Sequence, residues 1–201
     1  MKKFALCTLL IALCACGGVN VVDLDNPGEV SDMQNVMALE YRDWLATSDM
    51  MVKSMLNSGA FARVERPIIA IAGVTNDTMQ RFDTDILVKK IRSDLVNSGR
   101  AQIATNFSGE DTTSNQVRAE RGNAEYAAGT IAAQGTLIAP NLSLSGKMIQ
   151  RNFELRTCWL CSSKDRVEYY LQLALTEVKT GLTVWEDTKP IIKEGRNAPT
   201  W

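Results

Sequence analysis

Histidine is absent from this 201-residue chain. Its absence excludes Ser-His-Asp and Cys-His catalysis, removes the commonest general base near neutral pH, and excludes nearly all catalytic zinc sites. A phosphate-binding loop is absent too, because Gly122, Gly129 and Gly135 form neither a GxGxxG nor a Walker pattern. Any reaction chemistry would therefore depend on carboxylates, lysine or thiols.

The chain also has no large excess of charge of either sign. Its formal net charge is −1 at pH 7, so it lacks the basic field that holds nucleic acid and the polybasic patch that binds a membrane surface. Beyond the N-terminus, no apolar run approaches the length of a transmembrane helix. With 45 % hydrophobic and 22 % charged residues, the composition is that of a globular protein with its own core.

The N-terminus has the pattern of a bacterial lipoprotein signal. A positive start (MKK) precedes an apolar run over residues 4–14 that is too short to span a bilayer permanently. The sequence LCACG at 13–17 then resembles a lipobox, with a large residue at −3 and a small one at −1 from the modified cysteine. We predict cleavage just before Cys16 and attachment of lipid to it, which anchors the protein because each buried CH₂ contributes about 0.8 kcal/mol. The alternative is an ordinary signal peptide with a stray cysteine.

This signal divides the chain into three parts. Residues 1–15 form the predicted signal peptide, residues 16–37 a short polar tether, and residues 38–201 a single globular periplasmic domain. Gly17, rather than aspartate, at the second mature position resembles the sorting pattern for the outer membrane. We therefore expect a lipid-anchored protein on the periplasmic face of the outer membrane.

Hydrophobic periodicity predicts five elements in the first part of the domain. In order, they are a helix over about 44–58, a strand over 68–74, a helix over 83–98, a strand over 101–105 and, after a polar loop over 106–115, an alanine-rich helix over 116–133. Asp43 is the expected N-cap of the first helix, and Asp83 or Thr84 that of the second. The first strand is rich in β-branched residues and is expected to be buried on both faces.

The C-terminal third changes to strand periodicity. From Val167 to Thr176, five apolar residues alternate with five others, which is the best strand signal in the sequence. Two further strands are expected over 142–148 and 182–185, the latter after a turn at 179–181. These three strands should form an antiparallel meander, so the element order predicts an α/β fold with a mixed sheet and helices on one or both faces.

Cys158 and Cys161 form the one motif that could carry reaction chemistry. Two thiols at this spacing can lower each other's pKa and cycle through a disulfide. However, redox CxxC motifs follow a strand at a helix N-terminus, whereas this one lies between two predicted antiparallel strands. A zinc site would need two more ligands, which the mature chain lacks apart from the lipid-modified Cys16. In an oxidising periplasm the simpler interpretation is a small loop disulfide, or two idle thiols.

The other candidate groups have simple structural interpretations. Asp83 and Asp85 could hold a metal, but acidic residues at a helix start are expected from capping and the helix dipole. The basic run over 89–92 is most simply an exposed helix face, and the tryptophans at 159, 185 and 201 belong to the core or the terminus, although exposed aromatics also anchor interfaces. Nothing assembles an active site, so we predict a binding module that is not an enzyme and has no cofactor, metal or small-molecule substrate.

Seven segments, in order over about 39–195, resemble the LpoB-type family of penicillin-binding protein activators. The segments are YRDW at 41–44, MVKSML at 51–56, VTNDT at 74–78, DTD at 83–85, LSLSGKMIQ at 142–150, YYLQL at 169–173 and TGLTVW at 180–185. The resemblance implies a fold like the N-terminal domain of TolB and an outer-membrane lipoprotein. It also implies a partner: a bifunctional peptidoglycan synthase, or class A penicillin-binding protein, whose glycan polymerisation and cross-linking the lipoprotein stimulates.

Two features depart from that family. Well-known members carry a long proline-rich tether, whereas fewer than 30 residues separate Cys16 from the first predicted helix. Such a segment measures roughly 30 Å as a coil and at most about 100 Å extended. The pair Cys158 and Cys161 is the second departure.

Two other functions compete with the activator hypothesis. One is a structural lipoprotein of an outer-membrane assembly or secretion complex that uses the same fold. The other is a thiol oxidoreductase that uses Cys158 and Cys161.

Overall fold

The computed structural model describes residues 37–107, 111–127, 129–155 and 164–195. Two longer helices precede most of the sheet, and a short third helix lies in the connection that leads to its last three strands. The elements are α1 (Tyr41–Asn57), a 3₁₀ turn (Ala60–Arg63), β1 (Ile68–Asp77), α2 (Asp85–Asn97), β2 (Gln102–Ile103), α3 (Thr112–Ala119), β3 (Leu142–Leu155), β4 (Lys164–Glu177) and β5 (Thr183–Gly195).

The five strands form one mixed sheet in the order β2-β1-β3-β4-β5. β1 runs parallel to β2 and β3, whereas β3, β4 and β5 are antiparallel to their neighbours. This confirms the predicted α/β class with a C-terminal meander. Pairing of β1 with β3 ends at Ile149, but β3 continues to Leu155 and β4 pairs with β5 as far as Gly195. The meander therefore extends beyond β1.

The core lies between one face of the sheet and helices α1 and α2. The five alternating apolar residues of β4, from Val167 to Leu175, are all buried. Met51 and Met55 of α1 and the apolar stripe of α2 belong to the same buried cluster. Side chains alternate across a strand and recur every three to four residues on a helix, so these two periodicities supply two apolar surfaces that cover each other.

Asn141 fastens the start of β3 to the neighbouring strand. Its side-chain oxygen accepts from the amide of Ile68 at 2.9 Å, and its side-chain nitrogen donates to the carbonyl of Arg66 at 2.7 Å. Its backbone amide donates to Ile68, and its carbonyl accepts from Val178. One residue thus links three strands at the end of the sheet where their backbone groups would otherwise lack partners.

The starts of the two long helices differ partly from expectation. Glu40, not Asp43, is the N-cap of α1; Asp43 lies at the third helical position and accepts the Glu40 amide, as one half of a capping box. For α2 the N-cap is Thr84, as predicted, and Asp83 accepts the amide of Asp85 at 2.9 Å. Asp83 therefore satisfies a free backbone donor at the helix start.

Two features of the first part of the domain differ from the predictions. The helix expected over 116–133 is instead α3, which begins inside the expected polar loop and has no buried residue. The following segment is irregular, and Gly122 adopts a φ of +91°, a conformation that a helix cannot accommodate. β1 is buried on both faces only at its start, where Ile68 and Ile69 are both buried; farther along, Ala72 and Thr75 are exposed.

The meander strands are longer than expected, β5 most of all. The strand expected over 182–185 continues to Gly195. Its later part has charged residues on both faces and a proline, Pro190, which a sheet tolerates on an edge strand because the missing N–H can lie on the unpaired side. Because several inward positions of β5 carry charged residues, this part of the sequence lacks the alternation of apolar and polar residues that indicates a strand.

Charged residues join α1 to α2 and to β5. The ammonium of Lys90 contacts Asp49 of α1 at 3.0 Å and Asp94 of its own helix at 2.6 Å, so this residue is bridging and not simply exposed as predicted. Asp187 of β5 accepts the hydroxyl of Ser54 and pairs with Lys189 at 2.9 Å. The hydrogen bond from Ser54 is the main reason that the pKa of Asp187 lies below its ordinary value, and Lys189 adds to the effect.

The contact between Ser54 and Asp187 predicts a pH-dependent stability. A carboxyl group with a lowered pKa stabilises the fold above its ordinary pKa, and this contribution is lost as pH falls through its folded value. We expect Asp187→Asn to lower the unfolding free energy by about 1 kcal/mol at pH 7 and by much less at pH 3. Urea titrations at both pH values measure this difference.

Asp77→Asn is the matched control. Asp77 pairs with Lys147 at 2.6 Å, but its side chain is 57 % exposed, so its loss should change the unfolding free energy by less than about 0.5 kcal/mol. An Asp187→Asn deficit that is equal at pH 7 and pH 3 would contradict the assignment.

Candidate functional site

The two faces of the meander differ sharply in burial. On β4, the residues that point toward α1 and α2 are buried, whereas Glu168, Tyr170, Gln172, Ala174 and Thr176 on the reverse side are half-buried. On β5 the corresponding reverse-side residues are all exposed. Antiparallel sheets commonly cover one face and leave the other to solvent. The uncovered face is therefore a surface on which another molecule can pack.

The strand register brings nine side chains of this face together in three cross-strand rows. The first row has Ile149, Tyr170 and Pro190; the second has Arg151, Glu168 and Ile192; the third has Phe153, Arg166 and Glu194. We refer to these nine residues as the open face. Directly opposed side chains lie about 5 Å apart between their Cβ atoms, so each row is a contiguous contact surface.

Ion pairs and hydrogen bonds fix the polar side chains of the open face. The guanidinium of Arg166 binds Glu194, with Nε donating at 2.7 Å, and lies 3.7 Å from the carboxylate of Glu168. Glu168 also accepts the hydroxyl of Tyr170, and this hydrogen bond is the main reason that the pKa of Tyr170 lies above its ordinary value. Arg166, Glu168, Glu194 and Tyr170 thus form one connected network.

Apolar and aromatic groups surround this network. Ile192 is 55 % exposed and Phe153 is 37 % exposed. The guanidinium of Arg151 lies 5.3 Å from the centre of the Phe153 ring, within the range of a cation–π contact. Tyrosine and arginine are among the residues that supply most of the binding energy at protein interfaces. The open face is therefore suited to protein association.

Two other depressions lie on the surface outside the open face. A groove of about 270 Å³ lies between the first turns of α1 and α2, with Trp44 packed against Phe82 at a centroid distance of 4.4 Å. A larger depression of about 540 Å³ follows the irregular segment 121–134, whose side chains are mostly exposed. The groove combines Trp44 with the bridged Lys90, whereas the open face presents its aromatic and charged side chains in three contiguous cross-strand rows.

The cysteines singled out in the sequence, Cys16, Cys158 and Cys161, lie outside the described residues. Lipid attachment and a disulfide therefore remain predictions. The paired strands β3 and β4 flank Cys158 and Cys161 in the sequence, as expected. Trp185 is buried in the core, whereas the other two tryptophans of interest, at 159 and 201, also lie outside the described residues.

Neither a metal-binding cluster nor a membrane-spanning helix is present among the described residues. Within those ranges, no group of three or more cysteine, aspartate or glutamate side chains is placed to hold a metal ion. No helix among the same residues has the length and apolar content needed to span a bilayer.

Sequence reasoning missed the open face as a site. The alternation in β4 already placed Glu168 and Tyr170 on the face opposite the core. Their neighbours could not be named, because Arg151, Phe153, Pro190 and Glu194 lie beyond the predicted ends of β3 and β5. Only the cross-strand register reveals that these residues are adjacent.

Comparison with known proteins gives one family match and several structural similarities. The model of the family described as peptidoglycan-synthase activator LpoB matches residues 43–191, well over half of the chain. No curated protein sequence matches the chain.

Three solved structures illustrate the structural similarities. The chain is similar to the LpoB C-terminal domain from Escherichia coli, with 16 % identity, a TM-score of 0.45, and coverage of 74 % of this chain and 98 % of that one. The LpoB C-terminal domain from Salmonella enterica is 14 % identical, with a TM-score of 0.43 and coverage of 74 % of this chain and 98 % of that one. Lipoprotein GNA1162 from Neisseria meningitidis is 9 % identical, with a TM-score of 0.38 and coverage of 67 % of this chain and 88 % of that one.

The family match extends from α1 into β5 and so includes both helices of the core and most of the meander. The chain belongs to the LpoB family of peptidoglycan-synthase activators.

Proposed function

We propose that this protein is a lipoprotein anchored in the outer membrane that binds and activates a bifunctional, class A penicillin-binding protein and thereby regulates peptidoglycan synthesis. The observation that carries the proposal is membership of the LpoB family, whose members are periplasmic regulators of penicillin-binding proteins and not enzymes. The absence of histidine from the chain agrees with a role in association and not in catalysis.

The open face is the proposed docking surface for the synthase. Arg166 and Tyr170 are held by Glu168 and Glu194, so these side chains lose little conformational freedom when a partner binds. The first described residue, Met37, lies on the opposite, helix-covered side, where its carbonyl accepts a hydrogen bond from the buried hydroxyl of Tyr169. Residue 37 therefore lies on the side of the sheet opposite the open face.

Activation by binding requires a difference in affinity between two states of the synthase. A lipoprotein that binds the active conformation more tightly than the inactive one shifts the population toward activity. A tenfold shift needs about 1.4 kcal/mol of differential binding energy, which one or two well-placed side chains can supply.

The primary experiment mixes the full-length protein, isolated in detergent, with each bifunctional synthase of its host. Glycan polymerisation from lipid-linked precursor is then followed with time. A several-fold, saturable increase in rate supports the proposal. No binding and no rate change with any of these synthases would overturn it, and co-purification with outer-membrane assembly or secretion proteins would then favour the structural-lipoprotein alternative.

Tyr170→Ala tests the open face as the docking surface. We expect the affinity for the synthase to fall about tenfold or more, because removal of a central aromatic anchor typically costs about 1–2 kcal/mol or more of binding free energy. Tyr170 is not a core residue, so the unfolding midpoint should change little. Tyr126→Ala is the control, because Tyr126 is 51 % exposed and lies in the irregular segment outside the open face. Equal affinity of the two variants would remove the open face from the binding site.

Cys16→Ser tests the anchor. Without the thiol, lipid cannot be attached, so we expect loss of incorporated radiolabelled palmitate and loss of the protein from the outer-membrane fraction. Cys14→Ser, two residues away in the predicted signal peptide, is the matched control and should keep both the label and the membrane location. Continued lipid labelling of Cys16→Ser would contradict the assignment.

A further inference from the structure

The four residues that precede α1, residues 37–40, pack closely against the meander. Met37 and Leu39 are among the buried core residues, at 7 % and 6 % exposure. Met37 lies so close to Gly195 of β5 that a Cβ atom at that position would approach the Met37 sulfur to 2.8 Å. Residues 37–40, which we refer to as the strap, are therefore part of the core and not a loose end of the chain.

Side chains from distant parts of the chain bind the backbone of three consecutive strap residues. The hydroxyl of Tyr169 donates to the carbonyl of Met37 at 3.2 Å, and the ammonium of Lys193 donates to the carbonyl of Ala38 at 2.6 Å. The side-chain amide of Gln80 accepts from the amide of Leu39 at 2.9 Å and donates to its carbonyl at 3.2 Å. These contacts bind a segment that belongs to no helix or strand.

A poorly exposed ion pair reinforces the strap. Lys193 contacts Asp43 at 2.6 Å, with exposures of 15 % and 20 % for the two side chains. Asp43 also accepts the amide of Glu40, so one carboxylate links β5, the last strap residue and the first turn of α1. Burial, together with the negative charge of Asp43, raises the pKa of Tyr169 to about 12, which keeps this hydroxyl protonated as a donor.

The strap lies directly behind the open face. Tyr169 is adjacent to Glu168 and Tyr170 in β4, and Lys193 is adjacent to Ile192 and Glu194 in β5. Since successive strand side chains point to opposite faces, the residues that hold the strap and those of the open face share the same backbone segments. A change in the position of Tyr169 or Lys193 therefore moves the backbone that carries the open face.

We propose that the strap is a positioning element for the open face, and that Tyr169 and Lys193 are positioning residues that hold the ends of β4 and β5 in the geometry the partner binds. The proposal rests on the proposed function for the identity of that partner, the bifunctional synthase. It assigns an effect on binding to residues that a docked partner would not touch. The strap also directly follows the predicted tether, so it is the first part of the domain to bear any pull from the anchor.

The test uses full-length Lys193→Met, which keeps much of the aliphatic side chain but removes the charge that binds Ala38 and Asp43. We expect binding to the synthase to weaken by between about twofold and thirtyfold, which is the range for mutations that act through a packed network. Hydrogen exchange at the amides of 168–170 and 192–194 should become faster, while amides of α2 stay unchanged. Lys193→Arg keeps the charge and should restore both affinity and protection.

Lys90→Met is the matched control for loss of a bridging lysine. Lys90 joins α1 to α2 through Asp49 and Asp94, away from the strap. The Lys90→Met substitution should lower the unfolding midpoint without weakening binding to the synthase. Tyr169→Phe provides a second, milder strap variant if Lys193→Met fails to fold, because it removes only the hydroxyl that binds Met37.

The outcomes separate this inference from the proposed function. Unchanged affinity of a folded strap variant, together with faster exchange in residues 37–40, would overturn the positioning role. If the unmodified protein binds no host synthase, the proposed function fails, and exchange still decides whether the strap controls the open face. Faster hydrogen exchange at residues 168–170 in Lys193→Met would then support a role of the strap in positioning the open face. Unchanged exchange at these residues would refute that role.

Discussion

The alternation of side chains along β4 is the constraint on which the rest of the structure depends. Its inward residues, from Val167 to Leu175, supply the centre of the apolar surface that α1 and α2 cover. Its outward residues, Glu168 and Tyr170 among them, form the middle of the open face. A shift of register by one residue would exchange these two sets, exposing the core residues and burying charge. The strand therefore specifies the core and the open face together.

This arrangement explains how one sheet can supply both a stable core and an ordered surface. Helices on one side give the sheet stability, and the free side can then present side chains whose positions the fold has already fixed. On that side Arg166 is held by two carboxylates and Tyr170 by one, so polar groups are ordered without being buried. Ordering before contact lowers the entropy that association must offset. Regulation by binding needs such a surface and does not need a pocket.

The sequence predicted those parts of the fold whose periodicity is apolar. The stripe of α2 and the alternation of β4 face a continuous core, so their patterns were clear, and the meander and mixed sheet followed. β5 was predicted only at its start, because charged residues occupy its inward positions. Asp187 binds Ser54 of α1 and pairs with Lys189 of its own strand, and Lys193 binds the strap and Asp43. The alanine-rich segment after Val117 had helix-forming residues but no apolar stripe to bury. Tertiary contact, and not propensity, decided both cases.

The same reasoning explains why the open face could not be predicted as a site. A site of this kind consists of neighbours from three strands, and neighbours are set by register, which single-sequence patterns do not give. Glu168 and Tyr170 were visible as outward residues, whereas Arg151, Phe153 and Glu194 required the observed lengths of β3 and β5. The resemblance to the LpoB family is confirmed by the family match, but it assigned no contact to any residue.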